Sequence, residues 1–398
     1  MESLFTKHRM LIGQVKMEIV RECINDISWQ RPLVGIRGSR GVGKTTLMRQ
    51  YIRRQYGVQP GVALYCVMDS MYFTNHTLLQ LGENFHSLGG RHLFLDEVHN
   101  YPSWSREIKE LNDLYPDLKI TFTGSSLIRI INADADLSRR VLSYNMHGLS
   151  FREYLQFYHN IKLPICKLQH ILENADEICS EINELCQPRL LFEQYLRDGY
   201  YPFFDGNEVE YYSRIENVVS YIIDQEMVKF CNIDVAYTRK IKALLLFIAS
   251  NVPYEINIAK LSAYLELNKT TVLNYLSALH RAELINLLYS DNKSVTKMQK
   301  PDKIYINNTN ILYALAEDVR IGTVRECFVV NQLSANHDVE YAKDNGDFRV
   351  DGKWLFEVGG QDKSFAQIAN IPNSYILADN IDYPIGKKLP IWLIGFIY

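Results

Sequence analysis

Apolar positions recur along this chain in two rhythms, and their order predicts the elements. Leu33-Val34-Gly35-Ile36 is a short continuous apolar run, the mark of a strand buried on both faces. Behind it Leu47, Met48, Tyr51, Ile52 and Tyr56 recur at helical spacing, predicting a helix closed by Gly57. His92-Leu93-Phe94-Leu95 predicts a second buried strand, and Trp104, Ile108, Leu111 and Leu114 an amphipathic helix. Lys119 to Thr123 and Val141 to Met146 add two more strands. Strands alternating with helices argue for an α/β fold, a parallel sheet covered by helices.

From Phe151 to Phe230 the pattern turns helical, broken at Pro164, Pro188 and Gly199-Tyr200-Tyr201-Pro202, a turn expected to serve packing. Three amphipathic stretches follow, Arg239 to Ser250, Ile258 to Leu265 and Lys269 to Ala282, then strand-like runs at Ile285 to Tyr289 and Lys303 to Ile306. Helix, helix, helix, hairpin is the order of a winged helix. Its third helix would expose Lys269, Thr270, Asn274 and Arg281, and its hairpin loop Lys293, Lys297 and Lys300. These groups suit the phosphates of duplex DNA, and equally suit plain solvation. Past Arg320 a helix through Glu326, Val329, Val330 and Leu333 precedes strands at Val339 to Ala342, Gly346 to Val350 and Trp354 to Val358, with a hairpin turn at Asp351-Gly352. Domains are expected at 1–150, 151–236, 237–315 and 316–398.

A chain of 398 residues is too long for one core, in keeping with that division. The net charge of −3 gives no general attraction to nucleic acid, so such binding needs a local patch. Seven cysteines without a C-x-x-C pair read as reduced thiols of a cytoplasmic protein, not as a disulfide framework or zinc site. Neither a secretory leader nor a membrane span is expected: Met1 to Val20 lacks an apolar segment, and Ala243 to Ala249 is too short.

Chemistry enters between the first strand and its helix. Gly38-Ser39-Arg40-Gly41-Val42-Gly43-Lys44-Thr45, followed by Thr46, fills the pattern G-x-x-x-x-G-K-[ST]. Backbone N–H groups can ring a phosphate chain only where no Cβ blocks the approach, hence the glycines. Lys44 is expected on the β/γ-phosphates of ATP, and the Thr45 hydroxyl on Mg²⁺. Asp96-Glu97 ends the second strand; Asp96 would hold the Mg²⁺ shell through water and Glu97 polarise the attacking water. Ser125 ends a hydroxyl-rich strand, where it either faces the γ-phosphate or caps the helix at Leu127. Within Asp136-Leu137-Ser138-Arg139-Arg140-Val141, the arginines either neutralise phosphoryl charge or are solvated.

The runs GIRGSRGVGKTT, HLFLDEVHNYPSWSREIKELND, ITFTGSS and DLSRRVLSYNMHGLSFREYL resemble a family of prokaryotic AAA+-type ATPases related to the archaeal ATPases. The resemblance implies a P-loop three-layer α/β/α sandwich, then a helical and winged-helix segment, then a small α/β domain of restriction-endonuclease-like ancestry. It implies Lys44 and Thr45 on phosphate and Mg²⁺, Asp96 on the metal shell, Glu97 as base, Ser125 as sensor and Arg140, or Arg139, reading the γ-phosphate. An active nuclease of that ancestry needs two carboxylates and a lysine two residues past the second. Here Asp347 and Glu357 are present but position 359 is Gly, with Lys363 the nearest substitute, so a non-catalytic recognition domain is expected. Three functions follow: a Mg²⁺-dependent ATPase moving its winged-helix and terminal domains, on DNA or on protein partners including its own copies; a slow nucleotide-gated signalling switch; or an ATP-regulated DNA nuclease.

Overall fold

The computed structural model describes residues 1–127, 137, 139–251, 254–255, 257–290 and 300–398, and the chain divides into two compact units, Met1–His147 and Gly148–Tyr398. In the first, β1 (Leu33–Gly38), β2 (Ala63–Val67), β3 (His92–Asp96), β4 (Lys119–Ser125) and β5 (Leu142–Asn145) form one sheet in the order β2-β3-β4-β1-β5. Every pairing is parallel. Helices α1 (Glu2–Gln14), α2 (Lys44–Tyr56), α3 (Leu78–Ser87) and α4 (Trp104–Leu114) flank it. Strand β3 shows why the apolar runs are continuous. Leu93 and Leu95 join Leu81, Phe85, Ile108 and Leu111 in one core layer. Phe94, pointing the other way, packs with Tyr51 of α2 and with Trp29, whose rings stack at 4.0 Å. Both faces are thus covered, the three-layer arrangement expected.

Two buried histidines make this unit acid-sensitive. His8 of α1 accepts the Tyr65 N–H through Nδ1 at 2.9 Å; His92 meets the Tyr56 and Thr121 hydroxyls at 2.9 Å each. Burial lowers the His8 pKa from its ordinary 6.5 to about 4, with Arg9 adding, and lowers that of His92 to about 3, with Lys119 adding. Between these values and 6.5 the unfolded chain binds more protons than the folded one. Stability is therefore full above pH 6.5 and falls as the pH drops below it, by up to about 1.4 kcal/mol per pH unit for each histidine. Thermal unfolding of the full chain from pH 7.5 to 4.5 should show a melting temperature falling in that window. His8→Asn, which keeps an acceptor but no titrating group, should reduce the slope.

In the second unit, α5 (Phe151–His159), α6 (Leu168–Leu185), α7 (Pro188–Asp198) and α8 (Glu208–Tyr221) come first. Pro188 opens α7, where its missing N–H costs nothing. After α8 the chain runs through a π-helical turn, Ile222–Met227, into Val228–Cys231. Helices α9 (Thr238–Asn251), α10 (Ile258–Leu265) and α11 (Lys269–Arg281) precede the antiparallel pair β7 (Ile285–Leu288) and β8 (Lys303–Ile306), with β6 (Tyr254–Glu255) on the far side of β8. The order along the chain is helix, strand, helix, helix, strand, strand, so β6 interrupts the helix, helix, helix, hairpin order expected from the sequence. Next, α12 (Thr309–Leu315) carries Asn310, a buried hub. Its Oδ1 accepts from the Tyr200 N–H and the Tyr211 hydroxyl, and its Nδ2 donates to the Leu196 carbonyl. The Gly-Tyr-Tyr-Pro turn is thereby held in place, as a packing element.

Helix α13 (Ile321–Leu333) then leads to a mixed sheet of β9 (Val339–Tyr341), β10 (Phe348–Val350), β11 (Trp354–Gly359), β12 (Ser374–Ala378) and β13 (Lys388–Pro390), ordered β13-β12-β11-β10-β9. Its first three strands pair antiparallel and its last three parallel. Among the described residues no helix is long and apolar enough to cross a membrane.

Candidate functional site

Because all five strands of the first sheet are parallel, β1, β3 and β4 end at one edge, and their terminal residues gather there. The loop after β1 is shaped by its glycines. At Gly38 (φ 151°) a Cβ would lie 2.2 Å from the Met146 carbonyl oxygen, since β5 runs alongside. Gly41 and Gly43 take φ values of 91° and 100°, with Gly43 capping α2. Left-handed residues at the start of a helix form a nest of N–H groups with the helix dipole behind it. Lys44 Nζ donates to the Gly38 and Ser39 carbonyls at 2.8 and 2.9 Å, folding the ammonium over the loop. Arg21, itself buried, braces the loop from behind by donating to the carbonyls of Val42 (3.2 Å) and His147 (2.7 Å). Arg40 and Thr46 are exposed.

Asp96 is buried and is the meeting point of three hydroxyls. Thr45 Oγ1 lies 2.9 and 3.0 Å from its two oxygens, Tyr65 OH donates at 2.6 Å to Oδ2, and Thr123 Oγ1 donates at 2.5 Å to Oδ1. The register explains the convergence. Tyr65 pairs with Phe94, and Phe94 with Thr121, so Tyr65, Asp96 and Thr123 all face α2 from three adjacent strands. Thr45 and Arg49, four apart on α2, look back at them. Arg49 Nη2 donates to the Tyr65 hydroxyl at 2.6 Å.

Glu97 has φ 56° and ψ 50°, a left-handed conformation that a glutamate rarely adopts, and its N–H donates to Thr123 Oγ1 at 2.9 Å. Its Oε2 lies 3.2 Å from Nε2 of the buried His99. Ser125 is buried at the end of β4, opposite Gly38 in register, and its Oγ accepts the Leu127 N–H at 3.3 Å. The helix that it was expected to cap lies outside the described residues, and β4 runs between β1 and β3.

Lys44, Thr45, Asp96, Glu97 and Ser125 are thus brought together; Arg140 is not. Leu142 pairs with Val34 at the start of β1, so Arg140 lies at the opposite edge of the sheet from the loop, about 13 Å or more along the strands. There it pairs with Asp113 of α4. Arg139 is exposed beside it; Asp136 and Ser138 lie outside the described residues. Sequence reasoning missed Tyr65, Arg49, Thr123 and His99. Thr123 alone carried a signal, as a polar position within a buried strand.

In the second unit, Lys269, Thr270, Asn274 and Lys300 are exposed. Arg281, expected with them, is half-buried and turned inward, donating to the Ser277 carbonyl and to Cys231 Sγ. Lys293 and Lys297 lie outside the described residues. In the terminal domain Lys363 forms an ion pair with buried Glu357, Asp347 accepts the Val358 N–H, and Glu326 accepts the Tyr305 hydroxyl at 2.6 Å. Burial raises the Glu357 pKa, Lys363 opposes the rise and Asp347 adds to it. The cation beside Glu357 is the chain's own lysine, and among the described residues no group of three or more acidic, histidine or cysteine side chains could hold a metal ion.

The donor set at Thr45 and Asp96 is all oxygen, which suits Mg²⁺, and the left-handed glycines with Lys44 suit a phosphate chain. Residues 30–155 match the family model of an AAA domain, and residues 189–320 that of a domain of unknown function, DUF8612. Over 287 residues the chain is 28% identical to uncharacterized protein MJ1637 of Methanocaldococcus jannaschii, a match spanning 69% of this chain and 60% of that protein. Among solved structures, AMPPCP-bound DnaA from Aquifex aeolicus is 17% identical, covering 65% of this chain and 85% of that one at a TM-score of 0.27. C. elegans PCH-2 is 14% identical, covering 39% and 44% at 0.24. Likeness so slight says nothing of function. The AAA match spans the loop, the acid pair and β4, and the amino-terminal unit has the P-loop α/β fold that this match describes.

Proposed function

We propose that this chain is a cytoplasmic Mg²⁺-dependent ATPase whose turnover acts on the helical, winged-helix and terminal segments that follow. The observation carrying this reading is the Thr45–Asp96 contact at the mouth of a glycine-shaped loop, with Lys44 folded over it. Mg²⁺, when bound, would neutralise charge on the β- and γ-phosphate oxygens. Lys44, now on the loop carbonyls, would hold the phosphates, and Thr45 and Asp96 would hold the metal. Glu97 accepts the proton of the attacking water, its backbone fixed by Thr123 and its carboxylate steadied by His99. Ser125, beside Gly38, donates to the γ-phosphate.

Arg140 supports an assembly rather than a solitary chain. At the far edge of the sheet it cannot serve its own loop, so it acts on a neighbouring copy's nucleotide, leaving Asp113 to do so. Exposed Lys269, Thr270, Asn274 and Lys300 support duplex DNA as what the winged-helix segment touches. Phosphate release by the full chain tests the reading: it should require Mg²⁺ and rise per molecule with protein concentration. A mixture of Arg140→Ala and Lys44→Ala chains should outpace either alone, because each supplies what the other lacks. No Mg²⁺-dependent release would end the ATPase reading, and no gain on mixing would end the shared-arginine one.

A further inference from the structure

The strand β2 brings a group to the acid pair that no motif contains. Tyr65 is buried, and its hydroxyl donates to Asp96 Oδ2 at 2.6 Å while accepting from Arg49 Nη2 at 2.6 Å. The Arg49 guanidinium carbon also lies 4.8 Å over the Tyr65 ring, fixing the ring from above. Arg49 Nε is buried and hydrogen-bonds to nothing among the described residues, so its side chain is committed to this spot without full satisfaction. An ionised carboxylate has about four acceptor positions. Thr45, Tyr65 and Thr123 fill most of those on Asp96, and of the three only Thr45 is released when its hydroxyl turns to a metal.

We infer that Tyr65 is a positioning residue for Asp96, and Arg49 the anchor that orients Tyr65. With Thr45 withdrawn, Tyr65 and Thr123 grip one oxygen each from opposite sides and hold the carboxylate plane toward the metal shell. The bond from Arg49 polarises the Tyr65 O–H and makes it the stronger donor. The inference rests on the site reading proposed above: it concerns how this chain prepares its own carboxylate for Mg²⁺.

The experiment is calorimetric titration of ATP into nucleotide-free full chain at a series of Mg²⁺ concentrations and in EDTA. Tyr65→Phe keeps the ring but removes the hydroxyl bonded to Asp96 and Arg49, so a lowered melting temperature is expected, and binding is read well below it, where the variant is folded. It should raise the Mg²⁺ concentration needed for half the metal-dependent gain in ATP affinity by about ten-fold, the effect of one hydrogen bond to a charged group. Affinity in EDTA should not change. Arg49→Met should give a smaller shift in the same direction, and adding Tyr65→Phe to Asp96→Asn should cost nothing further. An unchanged Mg²⁺ requirement, or fully additive losses, would overturn the inference and leave the site reading intact. A wild type whose ATP affinity ignores Mg²⁺ would overturn both.

Discussion

Glu97→Gln should retain ATP and lose turnover, by roughly 10²- to 10⁴-fold, the range for removing a positioned general base. The substitution is close to isosteric, and the backbone is held independently of the side chain. The Glu97 N–H donates to Thr123 Oγ1, and the left-handed φ of 56° belongs to the strand-to-loop turn whichever side chain is present. What changes is basicity: an amide cannot take a proton from water, and it meets His99 as a neutral partner at the 3.2 Å contact. Binding should persist because Lys44, Thr45 and the loop amides are untouched. Phosphate release together with retention of a fluorescent ATP analogue separates the two effects. A variant within two-fold of wild type would remove Glu97 from the chemistry.

Lys44→Ala should fail earlier, at binding, and weaken the apo protein as well. Lys44 is buried, and its ammonium donates to two loop carbonyls at 2.8 and 2.9 Å. Truncation leaves both acceptors short of a partner and removes the lysine folded over the loop. The unfolding free energy should fall by about 2–3 kcal/mol for these charge-assisted bonds, and ATP affinity by about 100-fold or more from loss of two such contacts to phosphate. Lys44→Arg restores charge but not shape in so tight a fold-back, and should recover stability only in part. Melting curves and calorimetry report the two losses separately. Wild-type affinity in Lys44→Ala would move the phosphate site elsewhere.

How much of this was legible follows from what each residue does. The elements β1, α2, β3, α4 and β4 were readable because each buries a whole strand or one helical stripe, a pattern that survives without knowledge of neighbours. Helices α10 and α11 were equally plain. Helix α1 was not, because its buried stripe is Leu4, His8 and Ile12, and a histidine in the middle reads as polar. Strands β2, β12 and β13 are short and lack a motif. The loop and acid pair were legible because their chemistry demands particular residues at fixed spacing. Tyr65 was not, since an aromatic residue in a buried strand reads as core, and only the register with β3 turns its hydroxyl toward Asp96. The position of Arg140 was hidden for the same reason: its distance from the loop depends on β5 running parallel to β1.

The bond between His8 and the Tyr65 amide has a further consequence for solubility. Strand β2 is the border of its sheet, and a border strand offers unclaimed main-chain donors to any other extended chain. Imidazole Nδ1, supported by the packing of α1, plugs one of those donors. Once protonated, that nitrogen cannot accept, and the plug is withdrawn together with the stability it protected. Acid stress on this protein therefore opens a seam at which molecules can zip together, so aggregation and unfolding should set in as one event.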